Sequence, residues 1–345
     1  MNNLEIFTKN DLKALLRTRE GEIKIGETIK FCESNNWENE LKASKAQFVI
    51  LGIPEDIGVR ANFGRGGAHT AFKPALDSFI NQQNNSYLLG ENCFVLGNIF
   101  VNDLMEKSNL LNSKNKTDID ELRKMVGTID ERATQVVSSI IKLNKTPIII
   151  GGGHNNAYGN IKGCSVTLNQ KINVINCDPH SDIRALDGRH SGNGFSYALQ
   201  NNYLNKYAVF GLHEQYNNAN SLNQFIQNSN LFFYSFEDIF IREKTDFKTA
   251  LKRCINFVSD NKCGLEIDLD AITNVPSSAK TSSGISQLQA RQFIYQCANN
   301  LKPLYLHIAE GAPILSHIKA DNKTGKLIAY LISDFIKGCL DNEME

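Results

Sequence analysis

The sequence lacks any long block of one charge. Lys plus Arg balance Asp plus Glu at 37 each, so the formal net charge at pH 7 is zero. A balanced surface offers no polyanion-binding face, and we expect no nucleic-acid partner. No apolar run approaches the roughly 20 residues that span a bilayer, and no basic segment followed by an apolar run and a cleavage site opens the chain. We therefore expect a soluble, cytoplasmic protein without membrane contact.

Cysteine pairs of the CxxC type are also absent. The eight cysteines are scattered, and most stand beside apolar residues in predicted strands or helices. They are Cys32, Cys93, Cys164, Cys177, Cys254, Cys263, Cys297 and Cys339. This placement favours buried free thiols over disulfides or zinc ligands.

From residue 47 onward, short apolar runs alternate with helix-length segments, which is typical of a mostly parallel sheet covered by helices on both faces. The predicted strands are 47–53, 93–99, 147–150, 172–177, 207–212, 231–235, 263–270 and 303–309. Amphipathic helices are predicted over 118–144, 246–260, 286–300 and 322–340. We predict a three-layer α/β/α fold with a mostly parallel eight-stranded sheet in a domain spanning 46–345. Residues 1–45 are predicted to be an N-terminal extension that covers a sheet edge or contacts a neighbouring subunit.

Three of the predicted strands end in polar residues of the same chemistry. GGGH at 151–154, DPHSD at 178–182 and DLD at 268–270 each lie at the carboxyl end of an apolar strand. Ligands bind outside these strand ends in open α/β sheets, so the three segments should lie close together. The candidate metal ligands are His154, Asp178, His180, Asp182, Asp268 and Asp270.

Mixed Asp and His ligation without cysteine suits Mn²⁺, with Zn²⁺, Fe²⁺, Co²⁺ and Ni²⁺ as alternatives. Four carboxylates exceed the usual set of a single catalytic zinc, and bridging carboxylates make two ions the natural count. Two ions that share a water lower its pKa and stabilise the oxyanion formed when it attacks. Each motif alone is compatible with a solvated strand end or a tight turn. Together they indicate a metal-dependent hydrolase, because four clustered acids without a cation would be strongly unfavourable.

Over roughly residues 47 to 335 the chain resembles the ureohydrolases, the family of arginase, agmatinase and formimidoylglutamase. The family motifs GGDH, DAHxD and (S)xDxD match GGGH, DPHSD and EIDLD here in the same order, with Gly153 and Pro179 as departures. The resemblance implies a parallel eight-stranded α/β/α sheet and two Mn²⁺ ions per subunit. Trimers or hexamers are frequent in the family, so a homo-oligomer is also expected.

The resemblance also implies roles for the six ligands. Asp178 and Asp268 bridge the ions, with His154 and Asp182 on one ion and His180 and Asp270 on the other. Asp182 is then hydrogen-bonded to the attacking hydroxide and afterwards passes a proton to the leaving nitrogen.

The run that follows Asp182 favours formimidoylglutamase within this family. Arginases place SGN nine residues after that Asp, as at 191–193 here, and a histidine two residues later, where this chain has Phe195. The arrangement Ser-Gly-x-x-Phe and an arginine two residues after the final Asp, here Arg184, instead resemble formimidoylglutamases. Their substrate carries two carboxylates, and a guanidinium suits a carboxylate. We expect substrate contacts from Arg184, His190, Ser191, Asn193 and Phe195.

Glu310 follows the last predicted strand and matches the family's late Glu, so we expect it to pair with the cationic amidine and to act in catalysis with Asp182. Weaker candidates for the site are Arg60, Arg65, His69, Arg189, His213 and Asn217. The leading interpretation is hydrolysis of N-formimidoyl-L-glutamate, a small amidino acid, to L-glutamate and formamide. Arginase or another guanidino- or amidino-acid hydrolase is one alternative, and a metal-binding family member without catalysis is another.

Overall fold

The computed structural model describes residues 3–34, 36–316 and 322–344, and ten strands within them form one sheet. The strands are β1 (Leu4–Ile6), β2 (Lys30–Phe31), β3 (Phe48–Gly52), β4 (Cys93–Ile99), β5 (Thr146–Ile150), β6 (Ile172–Cys177), β7 (Leu204–Leu212), β8 (Leu231–Ser235), β9 (Cys263–Asp268) and β10 (Leu306–Ala309). Their order is β1-β4-β3-β5-β10-β9-β6-β7-β8, and β2 also pairs with β4. Every pairing is parallel except that of β1 with β4.

Helices connect the strands and cover the sheet. In the described residues they are α1 (Lys9–Leu15), α2 (Ile25–Thr28), α3 (Trp37–Ala43), α4 (Ile57–Ala61), α5 (Phe72–Ile80), α6 (Asn102–Ser108), α7 (Lys116–Lys142), α8 (Ala157–Leu168), α9 (Gly194–Gln200), α10 (Ala219–Gln227), α11 (Phe236–Phe240), α12 (Phe247–Val258), α13 (Gln287–Leu301) and α14 (Lys323–Met344). The four predicted amphipathic helices correspond to α7, α12, α13 and α14, with ends within a few residues of the prediction. Those helix predictions are confirmed.

The central strands carry continuous apolar runs because both of their faces are buried. In β5, Ile148 and Ile150 join the core beneath α13 and α14, whereas Ile149 joins the core beneath α7 and α8. Successive side chains of a strand point to opposite faces, so one short run supplies both cores. The predicted three-layer α/β/α fold is confirmed.

The sheet has two more strands than predicted, and both come from residues 1–45. β1 pairs antiparallel with the end of β4, while β2 pairs with its beginning, so both lie along the same edge. Strands of two or three residues leave no recognisable pattern in a sequence. Residues 1, 2 and 35 of the predicted extension, and 317–321 and 345 of the predicted domain, lie outside the described residues.

The prediction of buried thiols is confirmed, because all eight cysteines are buried and, among the described residues, none forms a disulfide. Burial raises the pKa of the Cys93 thiol to about 12. Across the described stretches of the chain, no helix combines the length and the apolarity needed to cross a bilayer.

Candidate metal centre

Four adjacent strands at the middle of the sheet, β5, β10, β9 and β6, end on one edge. His154 follows β5, Glu310 follows β10, Asp268 ends β9, and Asp178 follows β6. Parallel neighbours present their carboxyl ends together, so residues up to 156 positions apart in the chain come into contact, as His154 N and Glu310 Oε1 do at 2.7 Å.

The six predicted metal ligands lie together in two overlapping groups. Each group offers ligand atoms that all lie within 4.8 Å of one another. The first contains His154, Asp178, Asp182 and Asp268, and the second contains His180, Asp268 and Asp270. Asp268 belongs to both. Asp178 also faces both, since its Oδ2 lies 3.0 Å from His154 Nδ1 and its Oδ1 lies 3.4 Å from His180 Nδ1.

The surroundings of His154 fit a cation. Its Nδ1 is buried and has no hydrogen-bond partner of good geometry, although carboxylate oxygens of Asp178, Asp182 and Asp268 lie 3.0, 3.2 and 3.3 Å away. Three buried carboxylates that converge on one nitrogen are costly without a positive charge among them. An imidazole nitrogen and carboxylate oxygens are ligands that Mn²⁺ accepts.

The titration of the cluster reports the same excess of negative charge. Burial and then the charges of Asp270 and Asp178 raise the pKa of Asp268 well above its usual value. Burial lowers the pKa of His180, but the hydrogen bond and charge of Asp178 outweigh it and raise that pKa to about 10. Protons thus compensate the acids in the metal-free protein, and metal binding would release them.

Two of the ligand segments form turns after their strands end. β9 ends at Asp268, and Asp270 lies in a single 3₁₀ turn. The backbone N–H of Asp270 donates to Asp268 Oδ1 at 2.7 Å. In DPHSD, the N–H of His180 donates to Asp178 Oδ1 at the same distance, and Asp182 has a left-handed φ of +48°. In both segments the first aspartate thus fixes the backbone of the next ligand. The predicted strand 263–270 therefore ends two residues early, at Asp268, and the ligand side chains still converge.

Glu55 supports the GGGH segment and was not singled out from the sequence. It is fully buried, and its Oε1 accepts hydrogen bonds from Gly153 N at 2.9 Å, Asn155 Nδ2 at 3.1 Å and Asn156 Nδ2 at 2.7 Å. Gly152 beside them has φ +75°, a conformation that glycine adopts at little cost. A lone Glu in a glycine-rich loop carries no sequence signal for this role.

Glu266 supports His154 from below and was also missed. Its carboxylate accepts from Tyr305 OH at 2.7 Å and contacts His307 Nδ1 at 2.5 Å, and it lies 3.4 Å from His154 Nε2. These groups form a third set that could hold a metal, His154 with Glu266 and His307. Because Glu266 is already bound by two partners, we interpret it as a support for the His154 ring.

The carboxylate of Glu310 lies beside His154, next to the ligand groups. Its Oε1 accepts from His154 N, whereas its Oε2 is buried without a hydrogen-bond partner in the described protein. Burial, followed by the charge of Asp270, raises the pKa of Glu310 to about 8. A cationic ligand would compensate this carboxyl group.

The predicted substrate residues divide into exposed and internal ones. Arg184 is exposed at the rim, where it donates to Asn62 Oδ1 at 3.3 Å, and Ser191 Oγ accepts from Asn62 Nδ2 at 3.2 Å. His190 is buried, with Nε2 3.1 Å from Asp187 Oδ1 and Nδ1 accepting from Gly192 N at 3.1 Å.

Asn193 and Phe195 have no free surface for a substrate. Asn193 donates to two carbonyl groups of its own loop and accepts from Arg189 and from His190 N, so all four of its hydrogen bonds are used. Phe195 is fully buried, with its ring stacked on Tyr207 at 4.2 Å and its edge on His154 at 5.3 Å. The expected direct contacts are therefore corrected: in this structure both side chains position the site instead.

The weaker candidates also separate. Arg60 and His69 both contact Asp56, at 3.0 and 2.7 Å, and Arg189 is buried against Asp130. Asn217 accepts from Ser181 N, which fixes the DPHSD loop, and the ring of His213 is stacked on Phe236. Arg65 alone among them is exposed near the site, donating to Ser277 O at 3.3 Å.

Several known proteins are similar to this chain in sequence or in fold. Formimidoylglutamase from Streptococcus gordonii is 27% identical over 277 residues, covering 77% of this chain and 75% of its own length. The structure of formimidoylglutamase from Bacillus subtilis superposes with a TM-score of 0.72 at 16% identity, covering 96% of this chain and 98% of that one. Formiminoglutamase from Trypanosoma cruzi, crystallised with Mn²⁺, has a TM-score of 0.69 at 19% identity over 92% and 98% of the two chains.

The arginase family model matches residues 46–337, which is most of the chain. The chain belongs to the arginase family, whose formimidoylglutamase members are metal-dependent hydrolases acting on amidino or guanidino groups.

Proposed function

We propose that this chain hydrolyses the amidine of N-formimidoyl-L-glutamate to L-glutamate and formamide at a site that holds two Mn²⁺ ions. The observation that carries the proposal is the pair of overlapping ligand groups that share Asp268. The Streptococcus relative and the Mn²⁺-containing Trypanosoma structure support the substrate and the metal.

The residues that would hold the ions are the six ligands described above. Asp268 lies in both groups and Asp178 faces both histidines, so these two aspartates would bridge. When bound, two ions lower the pKa of a shared water and stabilise the oxyanion that forms on attack.

Glu310 orients the substrate in this proposal. Its Oε1 is fixed by His154 N, and its unpartnered Oε2 is placed to accept an N–H of the cationic formamidine. Such a charge-assisted hydrogen bond holds the reacting carbon beside the ligand groups.

Asp182 carries the proton. The water oxygen forms a bond to the formimidoyl carbon, the bond from that carbon to the glutamate nitrogen breaks, and the leaving nitrogen takes a proton. Asp182 belongs to the first ligand group, and its Oδ2 lies 3.2 Å from His154 Nδ1. It also begins the loop that carries the exposed Arg184. One carboxylate thus serves both the attack and the departure.

The test is to incubate the Mn²⁺-loaded protein with N-formimidoyl-L-glutamate, arginine and agmatine, and to measure formamide and urea. We expect formamide from the first substrate and no urea from the others. Glu310→Gln should lower kcat/KM about 100-fold, whereas Glu131→Gln, at an exposed ion pair with Lys162, should leave it unchanged. Release of urea from arginine or agmatine would contradict the proposed substrate. Two bound Mn²⁺ ions without turnover of any amidine would contradict the proposal that the protein is an enzyme.

A further inference from the structure

The rim of the site carries two arginines without acidic partners. In the part of the chain that the structure describes, neither Arg65 nor Arg184 pairs with a carboxylate. Arg65 donates to the carbonyl oxygen of Ser277, and Arg184 donates to the side-chain oxygen of Asn62. An arginine close to so many acids would ordinarily be compensated by one of them, as Arg60 is by Asp56. Their guanidinium groups are thus available to a ligand.

Arg65 lies on the loop of residues 62–67, which contacts the segments that follow β6 and β10. At Asn62 the loop contacts Arg184 and Ser191, which follow β6. At Gly67 it approaches the segment after β10 so closely that an added Cβ would lie 3.0 to 3.3 Å from side chains of residues 312–315. The loop therefore runs from the segment that follows β6 to the segment that follows β10.

The contact of Arg65 places it on the side of Glu310. Its partner Ser277 precedes Ser278, whose N–H donates to Glu310 O at 3.2 Å and whose hydroxyl donates to Asp270 Oδ2 at 3.2 Å. Asn62 and Arg65 are three residues apart, a span of at most about 11 Å. The two guanidinium groups are thus held near the two ends of this short segment, Arg184 by Asn62 on the side of β6 and Arg65 by Ser277 on the side of Glu310.

The charge pattern of the site is acidic at the floor and basic at the rim. The floor, with Glu310 and the aspartates, suits the cationic amidine, while two separate guanidinium groups suit two separate carboxylates. We propose that Arg65 is the second anion-binding side chain of the pocket, and that it and Arg184 each take one carboxylate of a dicarboxylic amidine. This inference rests on the proposed function and adds a selection for dicarboxylic substrates.

The experiment crosses two variants with three substrates. Arg65→Gln and Arg184→Gln are assayed with N-formimidoyl-L-glutamate, with N-formimidoyl-L-glutamine, which lacks the side-chain carboxylate, and with 4-(formimidoylamino)butanoate, which lacks the α-carboxylate. Each variant should raise KM for the dicarboxylic substrate about 10- to 100-fold with little change in kcat. In each variant, KM should not rise further when the substrate lacks the carboxylate that the replaced arginine would bind. Because the two arginines would bind different carboxylates, the substrate that shows this should differ between the two variants. Equal losses on all three substrates, or none, would overturn the proposal for Arg65.

Controls separate charge, folding and metal. Arg253→Gln removes an exposed arginine of α12 that donates to the hydroxyl of Tyr234 on β8, and it should leave both KM and kcat unchanged. Arg65→Lys keeps the charge but loses the fork, so its KM should lie between those of the wild type and Arg65→Gln. Both Arg65 variants should bind as much Mn²⁺ as the wild type. Loss of metal in Arg65→Gln would mean that Arg65 balances the acidic floor, and would overturn the proposal.

Measuring the affinity for L-glutamate, the proposed product, tests the role of Arg65 without requiring turnover. If the wild type releases no formamide, the proposed function fails, and calorimetry with L-glutamate, L-glutamine and 4-aminobutanoate then decides the role of Arg65. We expect L-glutamate to bind the wild type more tightly than either single-carboxylate ligand and to lose this advantage in Arg65→Gln. Equal affinity of the wild type and Arg65→Gln for all three ligands would overturn the proposal.

Discussion

His190 is held neutral inside the loop that carries Arg184. Burial lowers its pKa to about 4, more than the contact with Asp187 raises it. Its Nδ1 accepts a hydrogen bond from Gly192 N, which a protonated ring cannot do. Protonation would therefore release the turn at residues 190–193.

The stability of the fold should reflect this titration. The pKa of His190 is depressed in the folded state, so its contribution to stability is fully present above the unfolded value of about 6.5 and is lost as pH falls toward 4, by at most about 3 kcal/mol. Urea unfolding of the wild type and His190→Gln at pH 7.5, 5.5 and 4.5 measures it. The wild type should be the more stable at pH 7.5, with the difference shrinking on acidification. A difference that does not vary with pH would contradict the assignment.

Arg189 connects residues beside the predicted metal ligand His154 to the loop that carries Arg184. It contacts Asp130 of α7 through two nitrogens, Asn155 O behind His154, and Asn193 Oδ1, and its guanidinium lies about 5 Å from the rings of Tyr158 and Tyr197. A lysine cannot reproduce this planar set of contacts.

Arg189→Lys should therefore destabilise the protein by about 2–4 kcal/mol and raise KM, because the loop that holds Arg184 loses its anchor. Arg291→Lys is a matched control, since Arg291 also binds one carboxylate, of Asp334, through two nitrogens and stacks on Tyr330, but is partly exposed. It should cost about 1 kcal/mol or less and leave KM unchanged. Denaturant unfolding and steady-state kinetics compare the two variants. Equal effects of the two would mean that Arg189 contributes stability alone.

At the scale of elements, the antiparallel strand β1 depends on one glycine of β4. Gly97 has φ +133°, and a Cβ added there would lie 2.0 Å from the carbonyl oxygen of Glu5. The register of β4 against β3 shifts near the same point, between Ile50 and Leu51, which marks a bulge. The close approach of the two backbones at this edge thus requires glycine.

Gly97→Ala should detach β1 and cost about 2–4 kcal/mol through strain and backbone collision. Gly127→Ala is the control, because that glycine lies within α7 with nothing near its added Cβ and should be neutral or stabilising. Hydrogen exchange should rise at residues 4–7 in Gly97→Ala alone. Unchanged protection there would show that β1 tolerates the side chain.

The predictability of the elements follows the length of their patterns. The eight predicted strands and the four long amphipathic helices carry enough apolar residues to be recognised, whereas β1 and β2 depend on their partner β4. The six predicted ligands could be proposed from the sequence because three motifs occur at three strand ends, and the structure brings their side chains together. Glu55, Glu266 and the role of Arg189 were not, since a buried polar side chain is defined by the distant groups that it meets. Arg65 was only one of several cations until the contacts of Arg60 and His69 with Asp56 were known.

At the scale of the whole molecule, metal should bind only the folded chain, because its ligands come from three distant segments. A ligand present at 100 times its Kd stabilises the fold by about 2.7 kcal/mol. Chelation should therefore lower Tm, and added Mn²⁺ should restore it. Asp268→Ala should abolish both the loading of metal and the shift, because Asp268 lies in both groups.

The control for this experiment is Asp260→Asn, which alters an exposed acid that pairs with Lys206, and it should behave as the wild type. Arg184→Ala should also load metal fully while chiefly raising KM. Thermal melts and metal analysis decide the outcome. Normal Mn²⁺ content in Asp268→Ala would refute the two-metal proposal.

The position of β10 in the sheet has a consequence for synthesis. β10 is the last of the described strands along the chain, yet it lies between β5 and β9 in the sheet. Until residues 306–309 insert there, the segment of His154 and that of Asp268 have no common neighbour in the sheet. The nascent chain must therefore leave one edge of β5 and one edge of β9 unpaired until residues 306–309 have been synthesised. The complete set of ligands should assemble only after that point, and a polypeptide that stops short of residue 306 would carry all six ligands without bringing His154 to the other five.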